Sequence, residues 1–197
     1  VFPRFKYMSG DPPMGVGYLA AYLKKTLQVD ISIIDTTFTR YFKNIFDNLK
    51  ENKPDILGIY TDGIMAPDAI AIADWAKNHK IYTIFGGPQA TVSPEFFIAH
   101  ADVVVRGEGE LILTDIIRNY GRKDLSDVLG VWWKRDGEIV KNAPNQNFIG
   151  LDDIPFPERA LLPMDKYLYY WSYLDALDTK KYGTTMMVSR GCPFSCT

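Results

Sequence analysis

Cysteine is almost absent from this sequence. The chain has two cysteines in 197 residues, both within the last six, so they cannot form the disulfide framework of a small secreted protein. The first residues also lack the apolar core of a secretory signal. We therefore expect a protein of the reducing cytoplasm.

Long hydrophobic runs and an excess of either charge are also missing. No stretch of 18 apolar residues occurs, which predicts no membrane span. With 22 basic and 24 acidic residues the net charge is −2, and this gives no support for nucleic-acid binding. The sequence has no Gly-x-Ser-x-Gly elbow, no zinc-type Cys/His cluster and no dinucleotide or P-loop glycine pattern. These absences exclude several common enzyme classes.

Short runs rich in Ile, Val and Tyr alternate with helical periods over the first two-thirds of the chain. The predicted strands are residues 29–35, 55–61, 81–86 and 102–106. The predicted helices lie at about residues 12–27, 41–49, 66–77 and 112–120. Strands that are apolar on both faces are typical of a parallel sheet covered by helices on two sides. Because the pattern opens on a helix, the opening strand is either represented by residues 1–5 or preceded them.

The pattern changes after residue 127. Residues 128–134 and 138–141 flank Asp136-Gly137, and Asp-Gly between two β-rich runs predicts a hairpin. A proline-rich stretch then leads to a cluster of large aromatic residues between 167 and 173. That cluster is too apolar for a free linker, so we expect an ordered connector that packs on a neighbouring element.

Two glycine-containing loops follow the third and fourth predicted strands. Residues 86–90 (GGPQA) suit either a ligand-binding turn or a tight turn without a ligand. In residues 106–110 (RGEGE), taken alone, the glutamates are most simply complements of a helix dipole. Yet both loops lie at the carboxyl ends of adjacent strands, where open α/β sheets bind their ligands.

The two histidines favour a structural role, whereas the two cysteines favour a metal site. His79 and His100 each end a helical stretch, where histidine usually complements the helix dipole. Cys192 and Cys196 form a Cys-x-x-x-Cys pair, which chance, a redox pair or half a zinc site could also give. Their position, after an apolar run and Arg190-Gly191, favours an iron–sulfur cluster.

Together these segments resemble the radical S-adenosylmethionine enzymes that carry an N-terminal cobalamin-binding domain. The similarity spans nearly the whole chain in order. The matching segments are PPMGVGYLAAYL (12–23), DISIID (30–35), PDILGI (54–59), GGPQAT (86–91), VVRGEGE (104–110), IPFP (154–157) and SRGCPFSC (189–196).

The resemblance implies a flavodoxin-like (Rossmann-like) α/β fold, an open parallel sheet with helices on both faces. A β-hairpin, an irregular connector and the first strand of a radical S-adenosylmethionine barrel would follow. The expected domains are a cobalamin-binding domain at residues 1–127, the hairpin and connector at 128–182, and the start of the barrel at 183–197.

The resemblance also implies cofactors and site residues. Cobalamin would contact the loops at the strand ends, mainly through backbone atoms and a complementary surface shape. No histidine of this chain would bind cobalt. The implied corrinoid contacts are Thr61, Asp62, Gly86, Gly87, Pro88, Gln89, Gly107, Glu108, Gly109 and Glu110.

The iron–sulfur part of the resemblance concerns the end of the sequence. Cys192 and Cys196 would bind a [4Fe-4S] cluster that coordinates S-adenosylmethionine, and the third cysteine of the family motif would fall at position 199. The implied partners are the protein's own radical S-adenosylmethionine barrel and a reductant of the flavodoxin or ferredoxin type.

The implied reaction is methyl transfer to, or cyclisation or rearrangement at, an unactivated carbon, with the 197 residues inactive alone. Two alternatives remain. One is a scaffold or regulatory domain that no longer binds corrinoid. The other is a receiver-like signalling domain. The sequence argues against it, because Asp35 and Asp62 alone do not form the acidic cluster usual at the strand ends of such domains.

Overall fold

The computed structural model describes residues 1–3, 9–39, 43–122, 124–174 and 182–191. The helices are α1 (Met14–Thr26), α2 (Lys43–Asn52), α3 (Ala66–Asn78), α4 (Pro88–Val92), α5 (Pro94–Ile98), α6 (Gly109–Arg118) and α7 (Met164–Leu174). The strands are β1 (Ile56–Tyr60), β2 (Tyr82–Gly86), β3 (Val103–Val105), β4 (Val131–Arg135) and β5 (Glu138–Lys141). Two single 3₁₀ turns, Leu151–Asp153 and Arg159–Leu161, interrupt the connector.

The five strands form one sheet in sequence order. Strands β1, β2 and β3 run parallel, whereas β4 and β5 are antiparallel to their neighbours. The parallel strands have short βα connections, so their carboxyl ends meet at one edge of the sheet. The predicted α/β sheet is therefore confirmed.

Residues 1 and 2 extend the sheet beyond β1. The Tyr60 amide donates to the Val1 carbonyl at 3.0 Å, and the Phe2 amide donates to the Ile34 carbonyl at 2.9 Å. Phe2 forms a parallel bridge with Asp35. The start of the chain thus lies between residues 34–35 and β1, so residues 1 and 2 pair on both sides as an opening strand would. The predicted strand at residues 29–35 is wrong in extent, because this bridge is its one strand-type pairing among the described residues.

Alternating side chains of the strands supply a core on each face. One core joins Leu57, Ile59 and Phe85 to helices α2, α3, α4 and α5. The other joins Val103, Val105 and their neighbours to α6 and the hairpin. Helix α1 packs beside α6 on this second face. Both faces of the sheet are covered, as the apolar strands predict.

Helices α4 and α5 were not predicted. Pro88 and Pro94 are the first residues of these two helices, each of five residues. Proline suits a first helical position because its fixed φ is already helical and its missing N–H would have no partner. Helices this short carry no amphipathic period, so the segment resembles a loop in the sequence.

The predicted hairpin and ordered connector are present. Asp136 and Gly137 have φ of 50° and 87°, the left-handed pair that a tight hairpin turn requires. The hairpin pairs with β3 and so continues the sheet past residue 127, while the domain division itself stays a prediction. Tyr167 of α7 is fully buried. Residues 182–190 form no strand, so the predicted first barrel strand is wrong for these described residues, while the start of a barrel domain at 183 stays a prediction.

Candidate functional site

The turn after β2 requires glycine at position 87. Gly87 has φ of 106°, and a Cβ at this position would lie 2.5 Å from the Thr61 carbonyl oxygen. The approach is close because the ends of β1 and β2 are joined: the Thr61 amide donates to the Gly86 carbonyl at 2.9 Å. The Gln89 amide donates back to Thr61 at 3.3 Å. Thr61, Gly86, Gly87 and Gln89 therefore lie together at the carboxyl edge, and their contact with a corrinoid stays a prediction.

The loop after β3 is tied to the turn after β2 through Thr91. The Thr91 hydroxyl donates to the Gly87 carbonyl at 3.0 Å and accepts from the Gly107 amide at 3.0 Å. Gly107 has φ of 97°, which favours glycine. The two glycine loops are thus neighbours, and one side chain that the sequence analysis did not single out sets their spacing.

The Asp62 side chain stabilises the loop after β1 by accepting backbone hydrogen bonds. Its Oδ1 accepts the amides of Ile64 and Met65, both at 2.9 Å, just before α3 begins. This side chain therefore stabilises the turn that leads into α3. Gly63 and Ile64 are exposed beside it.

Side chains leave the backbone of the carboxyl edge accessible where a flat ligand would lie. No atom stands within 4 Å of the position that a Cβ would take on Gly86 or Gly107. Pro88 is exposed, and Gly107 and Glu108 are exposed on the next loop. A corrinoid presents a broad, largely apolar ring with amide substituents, so it fits a surface of accessible backbone better than one of bulky side chains. The residues present therefore fit the implied cofactor.

Glu108 and Glu110 at the start of α6 have a partner that the sequence did not reveal. Arg190 Nη1 donates to Glu110 Oε1 at 2.6 Å and to Glu108 Oε2 at 3.2 Å. The Glu110 side chain is 4% exposed, and the Arg190 side chain is 17% exposed. A pair separated by 80 residues leaves no local signal in the sequence.

A second long-range link lies at the outer end of the same edge. The Tyr167 hydroxyl donates to Asp35 Oδ2 at 2.5 Å and lies 2.9 Å from Thr37 Oγ1. Burial, and then the nearby Asp35 carboxylate, raise the pKa of the Tyr167 phenol, so it stays protonated and able to donate. The sequence analysis predicted a packed aromatic connector but not this contact.

Both histidines lie at the opposite edge of the sheet. His79 precedes β2, stacks on Trp75 with ring centroids 3.7 Å apart, and its Nδ1 lies 2.8 Å from the Trp75 carbonyl. His100 precedes β3 and its Nδ1 lies 2.8 Å from Asp74 Oδ1. The sheet separates each of them from the glycine loops.

Cys192 and Cys196 lie outside the described residues. Within the described ranges, no group of three or more His, Cys, Asp or Glu side chains could hold a metal ion. No helix in the same part of the chain is both long and apolar enough to cross a membrane.

Comparisons with known proteins identify the family of the chain. A family model for the B12 binding domain matches residues 10–117. The chain is 34% identical to an uncharacterized methyltransferase of Pyrococcus horikoshii over 94% of its own length and 39% of that protein. It is 28% identical to the anaerobic magnesium-protoporphyrin IX monomethyl ester cyclase of Rubrivivax gelatinosus over 94% of its length and 34% of that protein. The chain thus spans between a third and two-fifths of these relatives.

The fold is shared with a solved structure. The radical S-adenosylmethionine methyltransferase TsrM of Kitasatospora setae, whose structure was solved with cobalamin and a [4Fe-4S] cluster bound, superposes with a TM-score of 0.61. That match has 16% sequence identity and covers 79% of this chain and 30% of the methyltransferase. The Rossmann-like sheet predicted from the sequence is the shared part. The match to more than half of its residues shows that the chain belongs to the B12 binding domain family.

Proposed function

We propose that this chain is the cobalamin-binding part of a B12-dependent radical S-adenosylmethionine enzyme. The full-length protein would transfer a methyl group to an unactivated carbon, or cyclise or rearrange its substrate there. The observation that carries the proposal is the bare carboxyl edge, where two glycine loops joined through Thr91 leave backbone accessible. The relatives, a methyltransferase and a cyclase, support both reaction outcomes.

The corrinoid would lie across the strand ends, in contact with three loops. The first loop contributes Thr61 and Asp62. The second contributes residues 86–89 and the third residues 107–110. Thr61 is fully buried and the Glu110 carboxylate is held by Arg190, so these two would contribute mainly backbone and shape.

No histidine of this chain would bind the lower face of cobalt. His79 and His100 are held at the amino edge by Trp75 and Asp74, with the sheet between them and the glycine loops. The corrinoid supplies the methyl-carrying metal when bound, while this chain orients the ring and covers one face of it. The chain would therefore hold the corrinoid without offering cobalt an imidazole of its own.

The remaining parts of the proposal concern the full-length protein. Cys192 and Cys196 would ligate the [4Fe-4S] cluster that binds S-adenosylmethionine, with a third cysteine from beyond this chain. A flavodoxin or ferredoxin would reduce the cluster in the cytoplasm. Thiolates close together on one loop commonly serve a single cluster.

The test is cofactor retention by the full-length protein. The protein is incubated with hydroxocobalamin, desalted, and examined by visible spectroscopy. We expect retained corrinoid with the spectrum of cobalamin whose dimethylbenzimidazole is off cobalt. A colourless protein with intact iron–sulfur absorbance would contradict the proposal and favour a scaffold domain. The Gly86→Val variant, which fills the bare edge, should lose the corrinoid while keeping the cluster absorbance.

A further inference from the structure

Arg106 lies at the start of the loop after β3, beside the hairpin. Its backbone amide donates to the Gly130 carbonyl at 2.8 Å, so its main chain is held by the residue that precedes β4. Its side chain is partly buried. The guanidinium carbon lies 5.8 Å from the centre of the Trp132 ring, a distance at which a cation is attracted to an aromatic face. The hairpin therefore holds both the main chain and the side chain of Arg106.

The Arg106 side chain also reaches α4. Its Nε donates to the Thr91 carbonyl at 3.4 Å, a long hydrogen bond with a charged donor. Thr91 is the second-last residue of α4. Carbonyls at the end of a helix lack a partner within the helix, and they interact favourably with a nearby cation. Arg106 thus fastens the end of α4 to the hairpin.

Thr91 is also the residue that joins the two glycine loops. Its hydroxyl donates to the Gly87 carbonyl and accepts from the Gly107 amide, both at 3.0 Å. One hydroxyl can serve both loops only while the Thr91 backbone keeps its place. Because Arg106 holds that backbone by its carbonyl, these contacts form a connected path from the hairpin to both glycine loops.

We propose that Arg106 is a positioning residue for the corrinoid, which acts by holding Thr91 and so fixes the separation of the two glycine loops. The inference rests on the proposed function, since these loops are the second and third that we assign to the corrinoid. Arg106 itself need not touch the ligand. A ring that lies across two loops should bind more weakly when their separation varies, because binding then has to order them.

Lys141 offers a matched control on the same aromatic ring. It lies opposite Trp132 in the hairpin, and its Nζ is 4.2 Å from the centre of the Trp132 ring. Both cations therefore interact with one aromatic side chain. Of the two, only Arg106 donates to Thr91 in the part of the chain that the structure describes.

The first test is the corrinoid affinity of the full-length protein, measured by titration with hydroxocobalamin in visible spectroscopy. Arg106→Met keeps a long unbranched side chain but removes the charge and the donor, and its Kd should rise about 10-fold. Lys141→Met, which loses the closer cation–ring contact, should keep the wild-type Kd. No rise in Arg106→Met, or an equal rise in both variants, would overturn the proposal.

A double variant shows whether Arg106 acts through Thr91. Thr91→Val keeps the branched side chain and removes the hydroxyl that joins the loops. Adding Arg106→Met to Thr91→Val should then raise the Kd by no more than about 2-fold, because the link is already broken. If the increases in Kd of the two single variants simply multiply, Arg106 does not act through Thr91 and the proposal is wrong.

Hydrogen exchange separates this inference from the proposed function. The Gly107 amide donates to the Thr91 hydroxyl, so it should exchange about 5-fold faster in Arg106→Met than in wild type or Lys141→Met, with no corrinoid added. A wild-type exchange rate in Arg106→Met would overturn the inference. If the wild-type protein retains no corrinoid, the proposed function fails, and the exchange rate still decides whether Arg106 holds Thr91.

Discussion

The two edges of the parallel strands differ in how their surfaces are made. At the carboxyl edge, Gly86 and Gly107 leave backbone uncovered, with no atom near the place of a missing side chain. At the amino edge, side chains close the surface: Asp102 Oδ2 accepts the Thr83 amide at 2.7 Å and the Thr83 hydroxyl at 2.9 Å. His100 pairs with Asp74 beside it. The edge that we propose for the corrinoid thus lacks side chains, whereas the amino edge is stabilised by paired side chains.

Among substitutions that add a side chain at the carboxyl edge, we expect the largest loss of stability at Gly87. Gly87→Ala places a Cβ 2.5 Å from a backbone oxygen in a residue with φ of 106°. We expect a loss of about 3 kcal/mol of unfolding free energy from overpacking and backbone strain, together with loss of bound corrinoid. Urea unfolding and visible spectroscopy of the desalted protein measure the two effects.

Gly86→Ala is the matched control for that substitution. It adds the same methyl group one residue earlier, where nothing lies within 4 Å. The unfolding midpoint should change little, while corrinoid retention should fall. Equal destabilisation by both alanines would refute the packing argument at Gly87.

The next largest effect is expected at the opposite edge. Asp102→Ala leaves the amide and hydroxyl of fully buried Thr83 without their acceptor. This should cost about 2 kcal/mol of unfolding free energy, as measured in urea. Asp102→Asn, which keeps an acceptor oxygen, should cost less. Corrinoid bound per folded molecule should stay at the wild-type level in both variants.

Gly107 at the carboxyl edge and Gly121 at the amino edge allow the same substitution, glycine to alanine, to be compared at the two edges. Both have positive φ, 97° and 89°, and neither has an atom within 4 Å of a new Cβ. Each change to alanine should therefore lower the free energy of unfolding by a similar amount, about 1 kcal/mol. Gly107→Ala alone should lower corrinoid affinity, because Gly121 follows α6 at the amino edge. Equal affinities in a hydroxocobalamin titration would place the ligand elsewhere.

The smallest expected effect is at the histidines. His79→Gln and His100→Gln, singly or together, should leave the visible spectrum of bound corrinoid unchanged. Their contacts with Trp75 and Asp74 hold them away from the carboxyl edge. A spectral shift in either variant would identify that histidine as a cobalt ligand.

The parts of the fold that could be predicted are those with a local signal. Strands β1 to β3 combine β-branched residues with polar or glycine ends, and α3 and α6 carry clear amphipathic periods. Helices α4 and α5 are too short for a period. The attachment of the hairpin to β3 depends on pairing of Val103 with Trp133, which no local pattern encodes.

The candidate site divides in the same way. Thr61, Gly86 and Gly107 were predicted because they follow strands, and the edge rule for parallel sheets brings them together. Thr91 was missed since a single hydroxyl in a helix of five residues has no distinctive spacing. Arg190 was missed as the partner of Glu110 because ion pairs across 80 residues are fixed by the tertiary fold.

The Tyr167–Asp35 hydrogen bond has a consequence for synthesis of the chain. The two residues are 132 positions apart, so a nascent chain cannot complete this end of the sheet until α7 has left the ribosome. Until then the Thr37 side chain, which is buried in the finished fold, lacks its Tyr167 partner. Contacts of such long range form late, and unfinished edges invite association with other chains. Asp35 and Thr37 therefore gain their Tyr167 partner only once α7 has emerged from the ribosome.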